Sequence, residues 1–144
     1  MDWKKLLFAA FVYAVLSLII HTFGAFLSMQ YYLDPQLAPL WSNLMMPSDA
    51  APPLKFYAAS FAASIIVGII FSYTYVLIKN AIKPGKSVES GILFGLFLFL
   101  INGIPALLSM SLLFSLPLGL LLAWQVEGLA IYLCFGLAIV RIMK

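Results

Sequence analysis

The chain has 144 residues, of which 65% are hydrophobic and only 9% are charged. A soluble helix needs a polar face, and a chain with a mean hydropathy of +1.10 lacks the polar residues to build one, so an ordinary soluble domain is excluded. The net charge of +3 comes from basic residues too few and too dispersed for a nucleic-acid surface. The length predicts one membrane domain over residues 1–144.

Four apolar blocks are long enough to cross a hydrocarbon core of about 30 Å, which takes roughly 20 helical residues. A backbone in lipid must satisfy its own hydrogen bonds, so each block is a helix or a strand of a closed barrel. Barrel strands alternate polar and apolar residues, and these blocks do not. The predicted fold class is therefore an all-α membrane protein with four transmembrane helices. The blocks cover residues 6–29, 56–78, 88–108 and 118–140.

The first block is repeated in the third. Residues 10–29 align with residues 91–110 at an offset of 81, with five identities in twenty, and the second block aligns with the fourth at an offset of 68. Both copies start on the same side of the membrane, so we expect two hairpins related as a parallel repeat. Repeat 1 would span residues 6–80 and repeat 2 residues 87–144. The two offsets differ by 13, and the extra residues of the first copy fall within an external insertion over about 33–55.

The external insertion is predicted to hold a short amphipathic helix. Asp34 followed by Pro35 is a helix-start signal, since the aspartate can cap the helix and the proline ring suits the first turn. Such a helix would lie on the outer membrane surface or over the mouth of the bundle. Its single apolar edge would consist of Leu37, Leu40, Trp41, Leu44 and Met45.

Small residues recur at helical spacing in all four spans. In the first span they share a face with His21, and seven further positions lie in the other three spans; those of the first are Ala10, Ala14, Ser17, Gly24 and Ser28. Residues three and four apart share a face of a helix, and a small-xxx-small face lets two backbones approach closely in lipid. The seven further positions are predicted to be helix-packing sites. They are Ser60, Ser64, Gly68, Gly91, Gly95, Gly128 and Gly136.

The basic residues predict the orientation of the chain. All but Lys55 lie on the same side of the predicted spans, and lysine and arginine mark the cytoplasmic side of a membrane protein. Both termini are therefore expected in the cytoplasm. The basic residues on that side are Lys4, Lys5, Lys79, Lys83, Lys86, Arg141 and Lys144.

Three strongly polar residues, His21, Asn102 and Glu127, fall well inside spans. At 1.5 Å per residue, His21 lies roughly 24 Å and Glu127 about 21 Å from the cytoplasmic end, and Asn102 takes the position of His21 in the second repeat. Their common depth suggests that Glu127 hydrogen-bonds His21 or Asn102. Such a cluster is either a ligand or ion site or a set of contacts that hold the helices in register, and both interpretations stay open.

No pattern of catalytic or metal-binding residues accompanies this cluster. One histidine and one carboxylate are too few for a structural metal site, and no serine is placed beside a base with a third orienting group. Cys134 is the only cysteine and can form no intrachain disulfide. We therefore expect no enzyme, no catalytic residue, no metal and no cofactor.

The second half of the chain resembles a loosely defined group of small four-span bacterial membrane proteins that have no established activity. The resemblance covers about the last 55 residues and is carried by glycine, proline and tryptophan spacing. It implies four helices and a location in the bacterial inner (plasma) membrane, and it carries over no catalytic residue. The residues concerned are Gly91, Pro105, Ser109, Pro117, Trp124, Glu127 and Gly136.

Two functions follow from these features. The first is solute or ion permeation, or small-ligand binding, through the polar cluster in the outer third of the bundle. A homo-oligomer is expected in that case, because four helices alone leave little room for a path. The second is a non-catalytic subunit or assembly factor of a larger membrane complex, with the small-residue faces as contact surfaces. Membrane lipid is the other expected partner, and nucleic acid is not.

Overall fold

The computed structural model describes residues 2–47, 51–82 and 87–144. Four helical stretches in them are long and apolar enough to cross a membrane, which agrees with the spans that hydropathy predicts. The third stretch consists of α4, a π-helical turn at Phe99–Gly103, and α5. The helices are α1 (Trp3–Leu27), α2 (Met29–Tyr32), α3 (Leu54–Ile78), α4 (Ser87–Leu98), α5 (Ile104–Leu113) and α6 (Leu118–Ile142).

The helix ends follow local sequence signals. The Asp2 side chain accepts hydrogen bonds from the backbone N–H groups of Lys4 and Lys5, which have no partner within the helix. Pro53 and Pro117 immediately precede α3 and α6. Proline fits there because its missing N–H is not needed by the first turn.

The π-helical turn lies just before Pro105. In this turn the N–H of Ile104 donates to the carbonyl of Phe99, five residues earlier. A proline inside a regular α-helix would push its ring against the carbonyl four residues back, here that of Ile101. The wider π turn makes room for the ring, so the helix continues on both sides of Pro105.

The helices pack as two antiparallel pairs joined through a third contact. α1 packs on α3 where Gly68 meets the backbone of Ala10, and α4 packs on α6 where Gly91 meets Gly136. α1 also packs on α6, and there the rings of Tyr13 and Phe135 stand edge to face with centroids 5.1 Å apart. In lipid such helix pairs depend on close packing rather than on the hydrophobic effect.

The buried core is concentrated at one end of the bundle. We call the half that holds Trp3, Ile78 and Ile142 the terminus half, and the opposite one the loop half. The buried residues of α3 all lie from Gly68 onward, and α5 has none. The loop half therefore has fewer buried residues from the third span and α3 than the terminus half, although Leu120 and Leu121 of α6 are buried there. The core consists of Ala9, Tyr13, Phe71, Tyr75, Phe94, Leu98, Ile131, Tyr132, Phe135, Ile139 and Val140.

The segment between α2 and α3 differs from the predicted amphipathic helix. Its described part, residues 33–47, has one 3-10 turn at Ala38–Leu40 and hydrogen-bonded turns on either side. Pro39 explains the difference, because in an α-helix its ring would collide with the carbonyl of Pro35. The rest of the predicted insertion includes residues 48–50, and the basic side includes Lys83 and Lys86; all of these lie outside the described residues.

Candidate functional site

The site is built on a contact between α1 and α6. His21 Nδ1 lies 2.7 Å from Glu127 Oε2, although the two residues are 106 positions apart in the chain. The Glu127 side chain is only 10% exposed, whereas that of His21 is 53% exposed. The carboxylate accepts from Nδ1, so in the neutral ring the remaining nitrogen, Nε2, is an acceptor. The pair thus consists of a buried carboxylate and a half-exposed histidine side chain.

Gly24 holds the carboxylate in this position. It lies on α1 one turn beyond His21, and a Cβ built on it would overlap the Glu127 carboxyl group. The carboxyl group therefore occupies the space that any other side chain at position 24 would fill. This absence of a side chain lets the carboxylate settle against the backbone of α1 while it reaches His21.

We expect Gly24→Ala to break the pair without separating the helices. The added methyl group meets the end of a flexible side chain, so Glu127 swings away and the His21 contact is lost. His21 is the single histidine, so one ¹⁵N resonance pair reports its hydrogen bonding. The Gly24→Ala spectrum should move toward that of Glu127→Gln, while Phe26→Leu, a change at an exposed position, should leave it in place. An unchanged Gly24→Ala spectrum would show that the glycine does not position the carboxylate.

Three aromatic residues stand beside the pair on the loop side, and we call Tyr32, Trp41 and Trp124 the aromatic cover. Trp124 Nε1 donates to Tyr32 Oη at 2.8 Å. The Trp41 ring lies 5.2 Å from that of Tyr32 and 6.4 Å from that of Trp124, between centroids. Trp124 is three residues before Glu127, so the two share a helix face. Burial raises the pKa of the Tyr32 hydroxyl, the bond from Trp124 opposes this, and the nearby Glu127 charge adds to the rise.

Asn102 has a different partner from the one its depth suggested. Its side-chain amide donates to the hydroxyl of Tyr132 on α6, and not to Glu127. Asn102 lies within the π turn, whereas the ring of Tyr132 belongs to the core beside Phe71. The predicted trio is therefore two separate contacts, one between α1 and α6 and one between the third span and α6.

Several residues of the site were not among the predicted ones. Glycine at 24 shares the small-residue face of α1 with His21, and tryptophan at 124 lies one turn from Glu127, so spacing gave a signal for both. Gln125 gave none: its Oε1 is buried without a hydrogen-bond partner in the described part of the chain, close to Gly103. Its neighbour on the third span, Gly103, belongs to the π turn, and hydropathy does not reveal that turn.

The predicted packing residues fall into two groups. Gly68, Gly91, Gly95 and Gly136 lie where a Cβ would come within 3 Å of backbone atoms of the facing helix. Ser64 donates to Ser17 across the α1–α3 contact at 3.4 Å, and Ser60 is half-buried. Gly128 differs, because the nearest atom to its Cβ position is a ring carbon of Tyr132 at 3.8 Å.

Within the described ranges, no three histidine, cysteine, aspartate or glutamate side chains are grouped closely enough to hold a metal ion. No family model, curated protein or solved structure matches the chain. The chemistry of the site itself is thus the guide to its function.

Proposed function

We propose that the protein binds a small polar solute or an ion at the His21–Glu127 pair, and that the ligand reaches the pair from the loop end of the bundle. The observation that carries this proposal is the unequal exposure of the pair, in which Glu127 is 10% and His21 is 53% exposed. A contact that served only to hold helices together would bury both partners.

The cost of polar groups in a membrane supports this proposal. Ionisable groups inside spans are rare and almost always face a partner or water, because charge in hydrocarbon is expensive. Nδ1 of His21 has its partner in Glu127, whereas Nε2 makes no hydrogen bond to the residues that the structure describes. A ligand that contacts the exposed edge of the ring would complete the hydrogen bonding of the pair.

The packing of the bundle supports entry from the loop end. The aromatic core closes the terminus half, whereas α5 and the first half of α3 contribute no buried residue. His21 lies six residues, or about 9 Å, from the last residue of α1 in the loop half. A solute would thus have a short path to the pair through the loop half, and a longer one through close-packed rings from the other side.

We place the protein in the inner (plasma) membrane of a bacterium, with the terminus half toward the cytoplasm. The basic residues at the ends of α1, α3 and α6 support this orientation, because lysine and arginine mark the cytoplasmic side. The described ones are Lys4, Lys5, Lys79, Arg141 and Lys144. The ligand would then arrive from outside the cell.

The proposal is tested by intrinsic tryptophan fluorescence of the protein in detergent, with a panel of inorganic cations, anions and small organic solutes. Trp124 lies one turn from Glu127, so ligand binding at the pair should change its emission. We expect at least one class of solute to give a saturable change that Glu127→Gln abolishes. Glu89→Gln replaces an exposed carboxylate in the terminus half and should behave as the unmodified protein does. A panel without any response that depends on Glu127 would overturn the proposal.

A second candidate is a non-catalytic subunit or assembly factor of a larger complex. The observation in its favour is a smooth exposed face on the first half of α3, where small side chains would let another helix approach closely in lipid. A subunit of this kind would show no solute response that depends on Glu127, so the same panel separates the two functions. The face consists of Ala58, Ala59, Ala62 and Ala63.

A further inference from the structure

The aromatic cover lies next to a negative charge. Tyr32, Trp41 and Trp124 are each only partly buried, so each of these residues keeps some exposed surface. The Tyr32 and Trp41 rings are tilted by 39°, and those of Trp41 and Trp124 by 63°, so the cover forms a bent wall rather than a flat stack. The faces of such rings carry partial negative charge and attract cations.

The charge of the His21–Glu127 pair also favours a cation. With His21 neutral, the pair carries the single negative charge of Glu127, and Nε2 presents a lone pair. A carboxylate that is 10% exposed is little screened by water, so it attracts a positive ligand and repels an anion. A ligand that brought one positive charge would leave the buried site neutral, which lowers the cost of keeping it in the membrane.

The distribution of the other charges does not oppose a cation. In the described ranges, Lys55 at the start of α3 is the single lysine or arginine of the loop half, and Asp34 in the segment between α2 and α3 balances it. The remaining described basic residues are at the far end of the bundle, beyond the aromatic core. The approach from the loop end is therefore free of a basic cluster that would turn a cation away.

From these three features we infer that the ligand of the proposed site is an organic cation with apolar substituents, held between the Glu127 carboxylate and the rings of Trp41 and Trp124. The inference rests on the proposed function and names its ligand class. Aromatic faces beside a carboxylate favour a cation with a diffuse charge over a small, strongly hydrated ion. A diffuse cation holds its hydration water weakly, so contact with the rings can replace that water. The apolar substituents would pack against the indole surfaces and the surrounding lipid.

The test is direct binding of tetraphenylphosphonium and of tetraphenylborate, which have nearly the same size and shape and opposite charges. Each is measured separately by equilibrium dialysis against the full-length protein in detergent, with protein-free micelles subtracted. We expect saturable binding of the cation, weakened at least about tenfold by Glu127→Gln. Trp41→Leu, which lies outside the spans and leaves the carboxylate in place, should weaken it severalfold. Glu89→Gln should bind as the unmodified protein does.

The outcomes separate the ligand class from the site. Binding of tetraphenylborate that depends on Glu127, without binding of the cation, would overturn the cation inference and leave a ligand site at the pair. Cation binding that Trp41→Leu does not change would contradict the inferred place of the ligand, since the Trp41 ring would then take no part in holding it. If neither ion, nor any solute of the fluorescence panel, depends on Glu127, the proposed function fails together with the inference.

Discussion

Replacing Gly136 with alanine should destabilise the protein by about 1–3 kcal/mol, because overpacking of a close contact costs about that much. The methyl carbon would lie well inside the van der Waals contact distance of the Gly91 carbonyl oxygen, and 2.9 Å from the Gly95 amide nitrogen. These are backbone atoms, so α4 and α6 must separate for the methyl to fit. Helix propensity alone favours alanine over glycine by about 1 kcal/mol, so a net loss would identify packing as the stronger effect.

Gly128→Ala is the matched control on the same helix. There the Cβ would meet only a ring carbon of Tyr132 at 3.8 Å, an ordinary contact. We expect this variant to be as stable as the unmodified protein, or more stable by up to about 1 kcal/mol. Both variants are unfolded in mixed micelles by increasing dodecyl sulfate and followed by circular dichroism. Equal stability of the two variants would mean that α4 and α6 can separate enough to admit the methyl group at little cost in free energy.

Removing His21 should cost more stability than removing the charge of Glu127. His21→Ala leaves a buried carboxylate without a hydrogen-bond donor, and an unpaired buried charge is the costly half of a broken pair. Glu127→Gln leaves a half-exposed histidine that can find another donor or acceptor. Because the His21 side chain is 53% exposed, we expect the low end of the range for charged hydrogen bonds, about 1.5 kcal/mol for His21→Ala.

The double variant measures the contact itself. Coupling between His21→Ala and Glu127→Gln of about 1 kcal/mol at neutral pH is expected, from the same unfolding titration. The control cycle combines His21→Ala with Glu89→Gln and should be additive within about 0.5 kcal/mol. Additivity of the first cycle would show that the two side chains do not interact, even if each single variant were destabilised.

Hydropathy was enough to predict the four spans because helix formation in lipid is dictated by the chain's own composition. Residue spacing was misleading for the segment between α2 and α3, where it suggested a helix that Pro39 prevents. The parallel repeat remains a prediction, and so does the relation of the second half of the chain to small four-span proteins.

The depth of a polar residue along its span was informative about the site. The direction in which its side chain points around the helix could not be predicted from depth. His21, Asn102 and Glu127 were matched by distance from one end, which brought His21 and Glu127 together correctly. Asn102 bonds Tyr132 instead, because a depth says nothing about which neighbour a side chain faces. The aromatic cover was missed for a related reason: Trp41 reaches Trp124 through turns whose path a linear pattern does not contain.

The π turn before Pro105 alters how the third span can vary. Twelve residues separate Gly91 from Gly103, so at about 100° per residue an uninterrupted α-helix would point Gly103 about 120° away from the face of Gly91. In the structure both face α6, and the Gln125 Oε1 lies 3.3 Å from a Cβ placed at Gly103. The span carries roughly one residue more than a straight helix with these two contact faces would need. Loss of one residue from the π turn would leave a regular α-helix that still crosses the bilayer and still turns both faces toward α6, whereas loss of a second residue would rotate one face by about 100°. Length in this span is thus governed by helical phase rather than by membrane thickness.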